Sequence, residues 1–136
     1  MKMPKKVFAR QHQITKDYLT ALDNHLLDIV EGRATEMLEI KDIADMLHIH
    51  PTHLSNTIKL TTGLYPCFFY EEKIMNIAKA MLENNQKTIS SIAVTLTYDP
   101  SNFTKFFKRF EHKTPKAYRE EFLMKQKHQN TETITI

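Results

Sequence analysis

The chain has 136 residues, of which 41% are apolar, 26% charged and 10% aromatic, with a formal net charge of +3. That suffices for one domain or two very small ones, and is too apolar for a disordered chain. No apolar run approaches the roughly 18 residues of a membrane-spanning helix, the single Cys67 excludes an internal disulfide, and two glycines exclude the Gly-rich phosphate loops. Few Gly and Pro among many Lys, Glu, Leu, Met and Ala predict an all-α protein.

In chain order, residues 1–16 carry five positive charges and no negative one. They lack the apolar core of a secretory signal and read as a basic N-terminal arm. Its Lys2, Lys5, Lys6 and Arg10, with Arg33 and Lys41 further on, can add phosphate contacts; the arm reads equally as an unstructured tail. Residues 17–31 place Tyr18, Leu19, Leu22, Leu26, Ile29 and Val30 on one helical stripe. This helix is expected to pack on the next segment or, alternatively, to dimerise. Residues 17–50 are acidic, net −6, whereas 84–128 are basic, net +5, an asymmetry that suits a polyanionic partner.

The most informative feature is self-similarity at an offset of 49 positions. Ile40–Pro66 aligns without gaps on Ile89–Pro115, with Ile40/Ile89, Ile43/Ile92, Ala44/Ala93, Leu47/Leu96, Pro51/Pro100, Lys59/Lys108 and Pro66/Pro115 identical. Each copy begins with two turns of helix whose apolar residues recur at helical spacing. After a short break, Pro51 or Pro100 stands at the first position of a second helix, preceded by His50, a poor N-cap, or Asp99, a good one. Short helix, tight turn and longer helix make the helix-turn-helix of DNA-binding proteins. Between the copies, Tyr70, Ile74, Ile77, Ala78, Met81 and Leu82 mark one long amphipathic helix. At about 1.5 Å per residue it spans roughly 27 Å, a suitable spacer for recognition helices that enter successive major grooves. The expected organisation is arm 1–16, first helix-turn-helix subdomain 17–66, linker helix 67–85, second subdomain 86–122 and C-terminal tail 123–136.

The stretches IKDIADMLHIHPTHLS, IAKAMLENN and ISSIAVTLTYDPSNFTKFFKRFEHKTPKAYR identify the run from Ile40 to Arg119 as resembling the DNA-binding domain of the AraC/XylS family of bacterial transcription regulators. The resemblance implies about seven helices in two helix-turn-helix subdomains joined by a long helix. It also implies a cytoplasmic, nucleoid-associated regulator, an activator that contacts RNA polymerase. Only residues 1–39 precede Ile40, so this chain holds no family-type sensory domain and is either a short member or a piece of a longer regulator. Where the family has turn glycines, the sequence has His48, Thr97 and His112, each costing roughly 1 kcal/mol if left-handed.

Helical wheels separate the two faces of the second helix in each copy. Leu54 and Ile58 face inward, as do Phe103, Phe106, Phe107 and Phe110. The outward residues are Thr52, His53, Ser55, Asn56 and Lys59 in the first copy. In the second they are Ser101, Asn102, Thr104, Lys105, Lys108 and Arg109. Asn56 suits bidentate pairing with adenine and Lys105 donation to guanine O6/N7. Lys59, Lys108 and Arg109 suit phosphates. Residues 101–119 hold six basic groups against Glu111 alone, so the second unit is expected to anchor electrostatically.

The expected partner is double-stranded DNA, bound by a monomer or, alternatively, a dimer. A protein-interaction module and a low-specificity architectural DNA binder are the competing readings. No nucleophile–base arrangement or apolar-set carboxylate pair supports an enzyme, and no cofactor is expected. HxHxxH at His48, His50 and His53 is read as turn and groove-side histidines rather than a metal site. Cys67 is read as a buried structural residue and the seven methionines as core filler.

Overall fold

In the computed structural model, which describes residues 5–134, seven helices follow one another: α1 (Lys5–Val30), α2 (Ile40–Met46), α3 (Pro51–Thr62), α4 (Pro66–Asn84), α5 (Ile89–Thr95), α6 (Pro100–Glu111) and α7 (Pro115–Ile134). No strand occurs among the described residues. Proline opens α3, α4, α6 and α7, where its missing N–H costs nothing and its fixed φ suits a helix. The chain folds as two units, Met1–Ile74 and Met75–Ile136, and the boundary falls inside α4.

In the first unit, α1 packs against α2 and α3. Its buried stripe comprises Ile14, Thr15, Tyr18, Leu22, His25, Leu26 and Ile29, so the amphipathic helix expected at 17–31 packs on the first unit. Ile43, Ala44, Leu54, Ile58, Tyr70 and Ile74 complete the core. Two polar contacts tie α1 to its neighbours. The Tyr18 hydroxyl donates to the Pro66 carbonyl at 2.9 Å, and the Thr15 and Thr61 hydroxyls lie 2.7 Å apart. His25 Nε2 accepts the Leu38 N–H at 3.0 Å, while Tyr70 donates to the Leu38 carbonyl at 2.8 Å. The segment leading into α2 is thereby held from both sides. Burial lowers the His25 pKa, with Asp28 opposing.

In the second unit, α6 packs against α5 and α7. Met75, Ala78, Leu82, Ile92, Ala93, Leu96, Phe103, Phe106 and Phe107 are buried. Phe107 meets Tyr118 edge-on, with ring centroids 5.5 Å apart. Arg119 donates to the carbonyls of Leu82 at 2.9 Å and Lys87 at 2.7 Å. The Tyr118 hydroxyl donates to Glu83.

Several sequence expectations are revised. Residues 5–16, assigned to an arm, are the first three turns of α1, and residues 123–134, assigned to a tail, continue α7; Lys2 lies outside the described residues. Cys67 is exposed rather than buried. It sits one position past Pro66, about 100° off the line through Pro66, Tyr70 and Ile74 that faces the core. The methionines are not uniform filler either: Met75 is buried, Met37 and Met81 are half-buried, and Met46 and Met124 are exposed.

Candidate nucleic-acid interface

The second helix of each helix-turn-helix, α3 or α6, follows a turn closed by two local backbone hydrogen bonds. After α2, His48 N–H donates to the Asp45 carbonyl at 3.0 Å and Ile49 N–H to the Ala44 carbonyl at 3.0 Å. After α5, Thr97 N–H reaches Val94 at 2.9 Å and Tyr98 N–H reaches Ala93 at 2.8 Å. These paired bonds are Schellman motifs, which place the residue after the cap in the left-handed region. His48 (φ 58°) and Thr97 (φ 68°) occupy that region without being glycine. His112 does the same at the end of α6 (φ 63°), where α3 ends on Gly63 (φ 81°).

The N-caps also correspond, with one surprise. Asp99 accepts the Ser101 N–H at 3.2 Å, as its carboxylate predicts. His50, the poorer cap by residue type, accepts the Thr52 N–H at 3.1 Å through Nδ1. Both caps have φ −63° and ψ 137°. His50 thus spends its ring nitrogen on the helix start. Among the described residues, no group of three His, Cys, Asp or Glu side chains is disposed to hold a metal ion.

With Leu54, Thr57 and Ile58 buried, α3 exposes Thr52, His53, Asn56 and Lys59 and leaves Ser55 half-buried. With Phe103, Phe106 and Phe107 buried, α6 exposes Ser101, Asn102, Lys105, Lys108 and Arg109 and leaves Thr104 half-buried. Thr104 donates to the Pro100 carbonyl at 3.1 Å and Ser101 to Asp99 at 3.0 Å, so these hydroxyls already have local acceptors. Within each unit the outward residues form one polar face.

The cations differ in how they are held. Lys59 Nζ donates to the Gly63 carbonyl at 2.7 Å and lies 4.6 Å from the Tyr65 ring centroid. Arg109 lies over the rings of Phe106 and Phe110, at 5.8 and 5.3 Å. Lys105 and Lys108 have no ion pair among the described residues. Glu111, three positions after Lys108, is paired with Lys79 instead. Two exposed neighbours of the α3 face lie outside the residues expected from the sequence: Leu60, 59% exposed, and Tyr65, 58% exposed. The offset of 49 carries a signal for the first, since Leu60 stands where the second copy has Arg109. Of the cations expected to reach phosphates, Arg33 is paired with Asp28 and Glu31, and Lys41 lies 3.3 Å from Glu39.

A helix-turn-helix domain family matches residues 43–121, more than half of the chain. The chain is 27% identical over 108 residues to the HTH-type transcriptional regulator YobQ of Bacillus subtilis, covering 79% of this chain and 45% of YobQ. It spans less than half the length of the curated relatives it matches. An AraC-type transcriptional regulator from Chromobacterium violaceum shares the fold with TM-score 0.58 and 22% identity, covering 73% of this chain and 89% of that one. The DNA-binding domain of AdpA, solved with a target DNA, superimposes with TM-score 0.61 at 17% identity, covering 74% and 95%. No helix among the described residues is long and apolar enough to cross a membrane. With its sequence match, its seven helices and its repeated turn geometry, the chain belongs to the AraC-type helix-turn-helix family, whose fold is that of the DNA-binding domains of transcription regulators.

Proposed function

We propose that this chain reads DNA by sequence, as the binding part of a bacterial transcription regulator that places α3 and α6 in successive major grooves. One observation carries the reading. Two recognition helices, related by the 49-residue offset, bury an apolar face and expose short polar and basic side chains on the other. Such side chains match base edges and phosphates. Asn56 pairs with adenine and Lys105 donates to guanine, while Lys108, Arg109 and Lys59 hold phosphates. The second unit anchors, because Lys105 and Lys108 are unpaired among the described residues while Lys59 is occupied locally. The fold shared with the AdpA domain, which binds a target DNA, supports the same reading. In this reading the protein acts at the cytoplasmic nucleoid, binds as a monomer with a dimer as the alternative, and activates through RNA polymerase.

Selection of bound duplexes from a random library at about 0.15 M salt tests this. The expected product is two short blocks with centres about 10 bp apart. Retention without enrichment would leave an architectural binder. No retention would shift the reading to a protein-interaction module.

A further inference from the structure

The first three turns of α1 are a basic helix standing clear of the core. Burial along α1 begins at Ile14, and Lys5, Lys6 and Arg10, with Lys16, are exposed. None of the four has an ion pair among the described residues, and residues 5–16 contain no acidic side chain. The place where this helix leaves the core is defined by Thr15, whose hydroxyl lies 2.7 Å from that of Thr61 in the last turn of α3. A free row of cations is therefore held beside the end of the first recognition helix. That helix has one cation of its own, Lys59, already engaged by Gly63 and Tyr65. By contrast, α6 carries Lys105, Lys108 and Arg109 on its outward side.

We infer that the α1 extension supplies the first unit's missing phosphate contacts, with Lys5, Lys6 and Arg10 gripping the backbone of the duplex that α3 reads. Lys6 and Arg10 are four residues apart, so they stand one above the other, exposed, on the helix row that continues into the buried Ile14 and Tyr18. Pre-formed helix fixes their spacing, which a loose arm would have to order on binding. The contact is to phosphate oxygens, so it adds affinity without adding sequence preference.

The inference rests on the DNA-binding reading, and the test separates the two. The full chain and the triple variant Lys5→Ala, Lys6→Ala, Arg10→Ala are titrated with the selected duplex and with a scrambled one across a salt series. Circular dichroism is recorded on both proteins. Each lost contact is expected to flatten the plot of log affinity against log salt by about 0.9. The triple variant should bind both duplexes more weakly, with its preference between them unchanged. The charge-conserving variant Lys5→Arg, Lys6→Arg, Arg10→Lys should keep the parental slope. An unchanged slope in the alanine variant, with selective binding intact, overturns this inference and leaves the DNA reading standing. Failure of the parent to bind either duplex overturns both.

Discussion

Tyr70 and Arg119 stand 49 positions apart and grip the corresponding backbone carbonyl in their respective units. Tyr70 donates to Leu38 at 2.8 Å, and Arg119 donates to Lys87 at 2.7 Å. Each acceptor lies two residues before the first helix of its helix-turn-helix, at Ile40 or Ile89. One spatial task is thus met by a phenol in one copy and a guanidinium in the other. Losing either tie should loosen the segment that leads into the first helix of its unit. Tyr70→Phe is expected to cost about 1 kcal/mol and Arg119→Ala about 2–3 kcal/mol, because the arginine bonds are charge-assisted and two in number. Arg119→Lys should recover little, since a single ammonium does not reproduce the fork. Urea unfolding midpoints measure all three.

The left-handed residues give a prediction of opposite sign. Thr97 has a β-branched side chain at φ 68°. Such a residue is strained there by about 1–2 kcal/mol, and glycine relieves the strain while restoring about 0.4–1 kcal/mol of unfolded-state freedom. Thr97→Gly should therefore raise the unfolding free energy by roughly 0.5–1 kcal/mol. The reverse exchange, Gly63→Ala, should lower it by about 1 kcal/mol from backbone strain alone, since no atom lies within 4 Å of an added Cβ. A Thr97→Gly protein that melts below the parent would contradict this account of the turn.

For DNA binding, Lys105→Ala is expected to cost about 1–3 kcal/mol and to relax preference at one base pair. Lys108→Ala should weaken all duplexes alike and lower the salt slope by about one. Lys59→Ala should have a smaller effect than Lys108→Ala, because Gly63 and Tyr65 already occupy its ammonium. Equal salt slopes for the Lys59 and Lys108 variants would show that this local engagement does not persist on DNA.

Acid should weaken the first unit through His25. Its native pKa lies below the ordinary value, chiefly through burial. Above about pH 6.5 the imidazole is neutral in both folded and unfolded chains and contributes no slope. Below that, the unfolded chain takes up a proton that the folded chain refuses, so stability falls with pH until the lowered native pKa is reached. Protonation would also abolish the acceptor for Leu38 N–H. His25→Gln should show a shallower decline than the parent between pH 7 and pH 5. Parallel declines would remove His25 as the cause.

Exposure of Cys67 gives a direct chemical check. A thiol reagent should modify it in the folded protein without denaturant, and the circular dichroism should be unchanged. Modification only after urea is added would place the thiol in the core instead.

Much of this architecture is legible in the residues because it is local. Apolar spacing, the helix-opening Pro51 and Pro100, and the 49-residue repeat require only near neighbours or a copy to compare. The buried positions of α6 follow directly from Phe103, Phe106 and Phe107. What escapes such reading depends on contacts distant in sequence or on unusual chemistry. Tyr70 lies 32 residues from Leu38 and Arg119 lies 32 from Lys87. His50 caps a helix with a ring nitrogen, outside the usual set of capping side chains. The helical start of α1 is obscured because Val7 and Phe8 remain exposed, so the apolar pattern there marks no buried face. The candidate DNA faces are legible by exclusion, being what remains once the apolar stripe of each helix is assigned.

The reach of the first unit's ties bears on its synthesis. Tyr18 bonds to Pro66, 48 residues on, and Asp23 meets Lys73, 50 residues on. Both partners precede Met75, where the second unit begins. Once the ribosome has released the first half of α4, the first unit has every partner in these ties available. Its folding need not wait for α5, α6 or α7 to be translated, and N-terminal units commonly fold first during synthesis. The order in which the two helix-turn-helix units mature is thus written into the order of the chain.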